Sequence, residues 1–220
     1  MIGFPSNTSF PKEPIRETNF SISTFLPLDN LSDEVFFISE VNTVFPGQID
    51  DFFKKTDVMQ RYFANVISSE KKVFGDIEFL PSNIRTLSIK SGDLNRLDRS
   101  QLEEALHSDV YVVFGASYIK GWLIDFLVHK GALNIHMGIS PFYRGSSCNF
   151  WALYDNNPSY VGSTIHMLSK GLDSGDMLFH CLPKFVDGDS PFDFTMRSVR
   201  AAHYGLCQSI SDDSIISMER

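Results

Sequence analysis

The chain has 220 residues, 43% of them hydrophobic and 21% charged, which is enough apolar material for one sizeable core and too ordinary a charge content for wholesale disorder. The net charge of -8, without a run of Lys and Arg, argues against a partner that presents a polyphosphate backbone. Three widely spaced Cys without a CxxC exclude a disulfide framework and fit a reducing cytoplasm.

The first residues lack a basic segment followed by an apolar one, so no signal peptide is expected, and no run reaches the ~18 apolar residues of a membrane helix. Residues 1–33 carry Pro5, Pro11, Pro14 and Pro27 among many Ser, Thr and Asn, and read as an irregular arm. A single domain is expected over 34–220.

Glu34 to Val41, EVFFISEV, is apolar and β-branched and predicts a strand that Pro46 and Gly47 end. Ile49 to Lys72 places Phe52, Phe53, Met59, Phe63, Val66 and Ile67 near a 3.6 period, which predicts a helix with a break near Thr56 and Asp57. Arg85 to Ile89 predicts a short strand, and Gln101 to His107 a short helix. Val110 to Phe114, VYVVF, is apolar on both faces, as a central parallel strand must be. Tyr118 to Lys130 follows as a helix with Ile119, Leu123, Phe126 and Leu127 inward, stopped by Gly131. Ala132 to Ile135 is the next strand, completing a βαβ unit. Ser147 to Asp155 predicts a helix, Ser163 to Leu168 and Met177 to Val186 two strands joined by GLDSGD, and Pro191 to Ser211 a long closing helix. The fold class is α/β: a mostly parallel, Rossmann-like sheet with helices on both faces. Ligands of such sheets bind beyond the carboxyl ends of the strands. No GxGxxG follows a strand, so a nicotinamide cofactor is not supported.

The stretch NIHMGISPFYRGSSCNFW begins where the last strand of that unit ends. Asn134 and His136 are two apart, so on an extended chain they point to one side. Asp173, in GLDSGD, is the candidate third member. Asn, His and a carboxylate together suit acyl or formyl transfer to an amine. The amide can donate to a developing oxyanion, the imidazole can relay a proton, and the carboxylate can orient the ring. Each also has a structural use, because Asn and Asp close turns and His often only satisfies a core hydrogen bond. His166 reads as a core histidine, and Phe150 and Trp151 as core. Cys148 lacks a nucleophile's sequence signature. Arg144 suits either an anionic group or a buried ion pair. The six His show no metal-binding spacing, so no metal is expected.

ALNIHMGISPFYRG, then VGSTIHML, then GLDSGDML, in that order and spacing, closely resembles the folate-dependent formyltransferase family. That family includes glycinamide ribonucleotide, methionyl-tRNA and sugar N-formyltransferases, and the resemblance covers roughly residues 105–210. It implies Asn134, His136 and Asp173 as the catalytic trio and N10-formyltetrahydrofolate as the donor. It implies that the pterin lies between Phe114, Gly115, Ala116, Ser117, Tyr118 and Ile119 on one side and Ser169, Lys170, Gly171 and Leu172 on the other. Tyr143 and Arg144 are the candidates for contact with the acceptor. The run YRGSSCNFWALYDNNPSYVGSTIHMLSKGLDSG is most similar to formyltransferase-like proteins of surface sugars, which implies a nucleotide-linked amino sugar as acceptor. Sugar-type members are often dimers, so the resemblance leaves room for a homodimer. The Pro-rich start departs from the family's opening strand, and no Gly-rich phosphate loop of the glycinamide ribonucleotide type is present. With no C-terminal barrel and an acidic charge, tRNA is not the expected acceptor. Two other readings stay open: a formyltetrahydrofolate hydrolase, and a non-catalytic folate or nucleotide binder.

Overall fold

A computed structural model describes residues 32–41, 57–75, 80–212 and 214–215. The predicted arm, apart from residues 32 and 33, and the predicted helical residues 49–56 lie outside the described residues.

Six strands and four α-helices carry the described fold: β1 (Val35–Val41), α1 (Asp57–Phe74), β2 (Ile84–Lys90), β3 (Val112–Phe114), α2 (Gly121–His129), β4 (Leu133–His136), α3 (Cys148–Tyr154), β5 (Ser163–Met167), β6 (Met177–Cys181) and α4 (Pro191–Ser211). β1 pairs with β2 in parallel, and β3 with β4 in parallel, opposite Phe114 to Ile135. From β4 onward the sheet turns antiparallel, in the order β3-β4-β5-β6. The α/β architecture with parallel units therefore stands, while the two strands flanking GLDSGD form an antiparallel hairpin.

Alternation along the strands splits the apolar side chains into two layers. Val35, Phe37, Val112, Phe114, Leu133, Ile135 and Ile165 face α1 and α4, packing on Val73, Met196, Val199, Ala202 and Leu206. Ile38, Tyr111 and Val113 face the other way, onto Leu94, Leu102, Leu123 and Leu127 around α2. Helices thus cover both faces, as expected for strands apolar on both sides.

Two predicted helices are corrected. Residues 101–107 form 3-10 turns at Ser100–Leu102 and Ala105–His107, which bury Leu102 and Ala105 without a continuous helix. Helix α2 starts at Gly121, three residues later than its periodicity suggested. Tertiary bonds hold the segment before it extended. Asn95 donates to the Tyr118 carbonyl at 2.8 Å and accepts from the Lys120 N–H at 2.6 Å. Ser117 gives both its N–H and its hydroxyl to the buried Glu40 carboxylate, at 2.9 and 2.8 Å. A third donor, the Gly92 N–H, reaches the same carboxylate at 2.8 Å. Glu40 thereby ties the end of β1 to the loop beyond β3. The closing helix α4 matches its predicted bounds, starting at a capping box of Ser190 and Asp193.

Candidate active site

Strand register brings the site together. β4 and β5 pair antiparallel so that Asn134 stands opposite His166, and His136 opposite Thr164. Facing side chains on neighbouring strands touch, and Asn134 Nδ2 lies 2.9 Å from His166 Nε2. Thr164 fixes the chain that leaves β4, donating to the Gly138 carbonyl at 2.6 Å and accepting from the Ser140 N–H at 3.0 Å. Gly138 is needed there, because a Cβ would meet Cys148 Cβ at 2.6 Å and His136 Nε2 at 2.7 Å. Asp173 enters from the β5–β6 turn with φ +45°, a left-handed conformation that Asp tolerates better than most side chains. Gly175 lets that turn close onto β5, since a Cβ would stand 1.7 Å from the Met167 carbonyl oxygen.

Hydrogen bonds assign the protons. A carbonyl only accepts, so His136 Nε2, 2.9 Å from the Tyr143 carbonyl oxygen, carries a hydrogen. Its Nδ1 then faces Asp173 Oδ2 at 3.3 Å, with both side chains largely buried. A neutral ring would set lone pair against lone pair in that contact. A second ring proton would turn it into a charge-assisted hydrogen bond. His166 Nδ1 donates to the Met167 carbonyl at 2.9 Å, which leaves Nε2 to accept from the Asn134 amide. Among the described residues the second N–H of that amide has no other partner, and it is available to an oxyanion. Asp173 Oδ2 also accepts the Gly145 N–H at 3.1 Å, and His166 Nε2 stands 3.8 Å from Oδ1. Burial pushes the Asp173 carboxyl upward, but His166, His136 and the Gly145 N–H together outweigh it and hold the group below the usual carboxylate range. Cys148 Sγ lies 3.7 Å from His136 Nε2, yet burial and the Asp173 charge push its thiol up to about 11. It stays protonated near neutral pH and is no nucleophile.

The three side chains open onto a cavity of about 1110 Å³. Small-molecule sites usually hold about 300–1,000 Å³, so there is room for two co-substrates. Phe114 through Ile119 and Ser169 through Leu172 all line it, and the Tyr118 hydroxyl bridges these walls by donating to the Lys170 carbonyl at 2.9 Å. Phe114 itself is buried in the core, so this wall meets a ligand chiefly through main chain and through Tyr118. Tyr143 and Arg144 are not part of the cavity wall. The Tyr143 hydroxyl bonds Asp155 and Asn157, while Arg144 is exposed and makes no ion pair among the described residues, against the buried pair considered for it.

Sequence reasoning missed several participants. His166 is not merely a core histidine, because it orients Asn134. Glu40 anchors the 114–119 wall, and its only sequence signal is a carboxylate closing an apolar strand. The cavity's other wall comes from helix faces, including Tyr62, Val66 and Ile67 of α1 and Phe150, Leu153 and Tyr154 of α3.

A family model described as formyl transferase matches residues 34–210. The chain belongs to the formyl transferase family. The formyl donor of this family is N10-formyltetrahydrofolate, and the cavity's size and its two facing loops fit such a ligand. Among curated relatives, methionyl-tRNA formyltransferase of Acidobacterium capsulatum is 36% identical over 80 residues, covering 36% of this chain and 25% of that protein. That of Finegoldia magna is 31% identical over 121 residues, 51% of this chain and 38% of the relative. The chain thus spans about a quarter to two fifths of the length of these relatives. Among solved structures, phosphoribosylglycinamide formyltransferase from Bacillus halodurans superposes with a TM-score of 0.58 at 15% identity, covering 99% of this chain and 95% of that one. A sugar N-formyltransferase from Shewanella sp. FDAARGOS_354 gives 0.51 at 15% identity, with 100% and 71% covered. At these identities the structures speak for the fold. No described helix is long and apolar enough to cross a membrane.

Proposed function

We propose that this formyl transferase family member moves a formyl group from N10-formyltetrahydrofolate to a primary amine, with a nucleotide-linked amino sugar as acceptor. The observation that carries the reading is the meeting of Asn134, His136 and Asp173 on one wall of a cavity large enough for donor and acceptor together. Residues 114–119 and 169–172 would hold the donor, Asn134, His136 and Asp173 would act on the formyl group, and Tyr143 and Arg144, outside the cavity wall, would meet the acceptor only as its outer portion passes over the loop.

The bound donor supplies an activated formyl carbon. The second N–H of Asn134 would donate to the oxygen that gains charge as the amine adds, an interaction worth roughly 2.7–4 kcal/mol where it has been measured. The amine must shed a proton as it becomes an amide. His136 Nδ1 can hold that proton against Asp173 Oδ2 while Nε2 stays anchored on the Tyr143 carbonyl. Asp173, ionised because its contacts outweigh its burial, stabilises the ring while it is charged. His166 positions Asn134 and takes no proton from substrate in this scheme.

The amino-sugar acceptor is supported by the run of residues 143–175, by the sugar N-formyltransferase among the neighbours of this fold, and by a net charge of -8, which disfavours a tRNA acceptor. A cytoplasmic homodimer is the setting that accompanies this reading. The test mixes the purified chain with N10-formyltetrahydrofolate and a panel of amines, including nucleotide-linked 3-amino and 4-amino sugars, and follows tetrahydrofolate release. Release that depends on one amino sugar is the expected result. Release without any amine would make the protein a hydrolase, and folate binding without release under every amine would make it a binder.

A further inference from the structure

We infer that the exposed rings of α3, Phe150 and Tyr154 backed by Trp151, form a stacking subsite for the planar base of a nucleotide-linked amine, an inference that rests on the transferase reading above. These side chains are 44%, 73% and 48% exposed, an unusual display for three neighbouring aromatics. They are ordered against one another. Phe150 and Tyr154, one helical turn apart, stack at 22° with centroids 6.2 Å apart. Trp151 meets both rings edge-on, at 5.2 and 5.6 Å.

The opposite face of α3 holds this platform in place. Cys148, Asn149 and Ala152 are buried, and Asn149 bridges two elements: its amide donates to Ser198 Oγ at 2.8 Å and its carbonyl accepts the Gly162 N–H at 2.9 Å. A rigid aromatic surface of this kind suits a planar ligand, since every base has a π-face. Its location identifies which ligand. Phe150 and Tyr154 line the same cavity as Asn134, His136 and Asp173, whereas Phe142, 66% exposed and packed on Tyr160, does not. Cys148, at the start of α3, touches His136, and Tyr154 lies six residues on, about 9 Å further along the helix axis. That separation suits a ligand whose amine reacts at one end and whose base rests at the other. The loops at 114–119 and 169–172, assigned above to the donor, form a different part of the wall.

The experiment is a set of calorimetric titrations of the full chain with uridine and thymidine 5′-diphosphates and, separately, with 5-formyltetrahydrofolate. Each is repeated on the Phe150→Ala, Tyr154→Ala double variant and on Tyr154→Leu alone. The single variant changes a side chain that is mostly in water, so it folds even where the double variant does not. One of the nucleotides is expected to bind the wild type and to lose about tenfold or more in affinity in the double variant, with a smaller loss in the single. Folate affinity is expected to change less than twofold. Nucleotide binding that is unchanged in the variants, or absent from the wild type, would overturn the inference, and a loss confined to the folate titration would assign the platform to the donor instead. Nucleotide binding that depends on the platform, in a protein that forms no formamide, would sink the transferase reading while leaving the subsite in place.

Discussion

Asp173 and Asp193 are both largely buried carboxylates, and both are held below the usual carboxylate range, yet their surroundings differ in kind. Asp193 closes the capping box of α4. It receives Lys72 Nζ at 2.8 Å, Ser69 Oγ at 2.7 Å and the Ser190 N–H at 2.8 Å. Burial works to raise its pKa, and that set of donors overcomes it. The neighbouring Asp189 is gripped by Arg197 through Nε at 2.6 Å and Nη2 at 3.0 Å. Every partner there keeps its proton at any physiological pH. Asp173 has one N–H donor and two histidines, and it borders a cavity. A carboxylate saturated by permanent donors does structural work, and one facing titratable rings beside a cavity can exchange protons. The comparison separates Asp173 from Asp189 and Asp193 where the pKa shift alone would not, since all three carboxylates are shifted the same way.

Breaking the reactive side should have the largest consequence. His136→Ala removes the ring that holds the proton and is expected to lower kcat about 10²–10⁴-fold with folate affinity nearly unchanged. Turnover within tenfold of wild type would remove His136 from the chemistry. Asp173→Asn keeps the shape and loses the charge, so the expected loss in kcat is about 10²-fold, with a melting temperature close to wild type. A matching drop in melting temperature would place Asp173 with Asp193 as a structural group.

A third buried titratable group sharpens the comparison from the opposite side. His203 on α4 is 2% exposed, packs between Phe74 and Phe114 with centroids 5.8 and 5.5 Å away, and finds no hydrogen-bond partner among the described residues. Burial alone pushes its pKa from 6.5 down to about 3. The folded state therefore binds this proton less readily than the unfolded chain. The neutral ring's contribution is complete above 6.5 and is lost progressively as pH falls toward about 3. At pH 5 the loss amounts to roughly 2 kcal/mol. His203→Leu should flatten the stability profile between pH 6.5 and 4, read by urea titration at several pH values. An unchanged slope would mean the ring is hydrated in solution.

Legibility in the sequence followed the range of the interactions. β4 and α4 were clear because alternation and helical period are local, and the bounds of α4 needed only Ser190, Pro191 and Asp193. That Asn134 and His136 would share one side was legible from their spacing, while their meeting with Asp173 depends on the β5–β6 turn. The start of α2 was not, because Glu40 and Asn95, distant in the chain, hold residues 117–120 extended against a favourable period. The 3-10 turns near Leu102 were hidden for a similar reason, their apolar residues fitting a helix as well as two turns. His166 looked like core because its partner Asn134 is 32 residues away and only the β4–β5 register brings them together. Phe150 and Trp151 read as core but are exposed, since exposure is a property of packing, and the sequence of α3 is compatible with either face being buried.

The smallest expected effect tests the structural side of the comparison. Asp193→Ala removes the half of the capping box that accepts the Ser190 N–H, and one acceptor each from Ser69 and Lys72, while the Ser190 hydroxyl still caps the backbone N–H of position 193. Lys72 is half exposed and regains water, so its loss is minor. What remains is the lost bond to the Ser190 N–H and the lost acceptor of the buried Ser69 hydroxyl, about 1–2 kcal/mol together at neutral pH. The sign of its pH dependence follows from the depressed pKa: the carboxylate's contribution is full above the ordinary value near 3.8 and disappears as pH falls below it. Wild type and variant should therefore differ most at pH 7 and draw together progressively as pH falls below 3.8 in urea titrations, while kcat per folded molecule stays within about twofold at neutral pH. A variant as stable as wild type at pH 7 would show that the Ser190 and Pro191 start suffices for α4. One that folds normally but loses kcat would mean that Asp193 reaches the reacting atoms through Phe192 and Thr195, the α4 side chains that wall the cavity beside it. In that case permanent donors would not be enough to mark a carboxylate as structural in this fold.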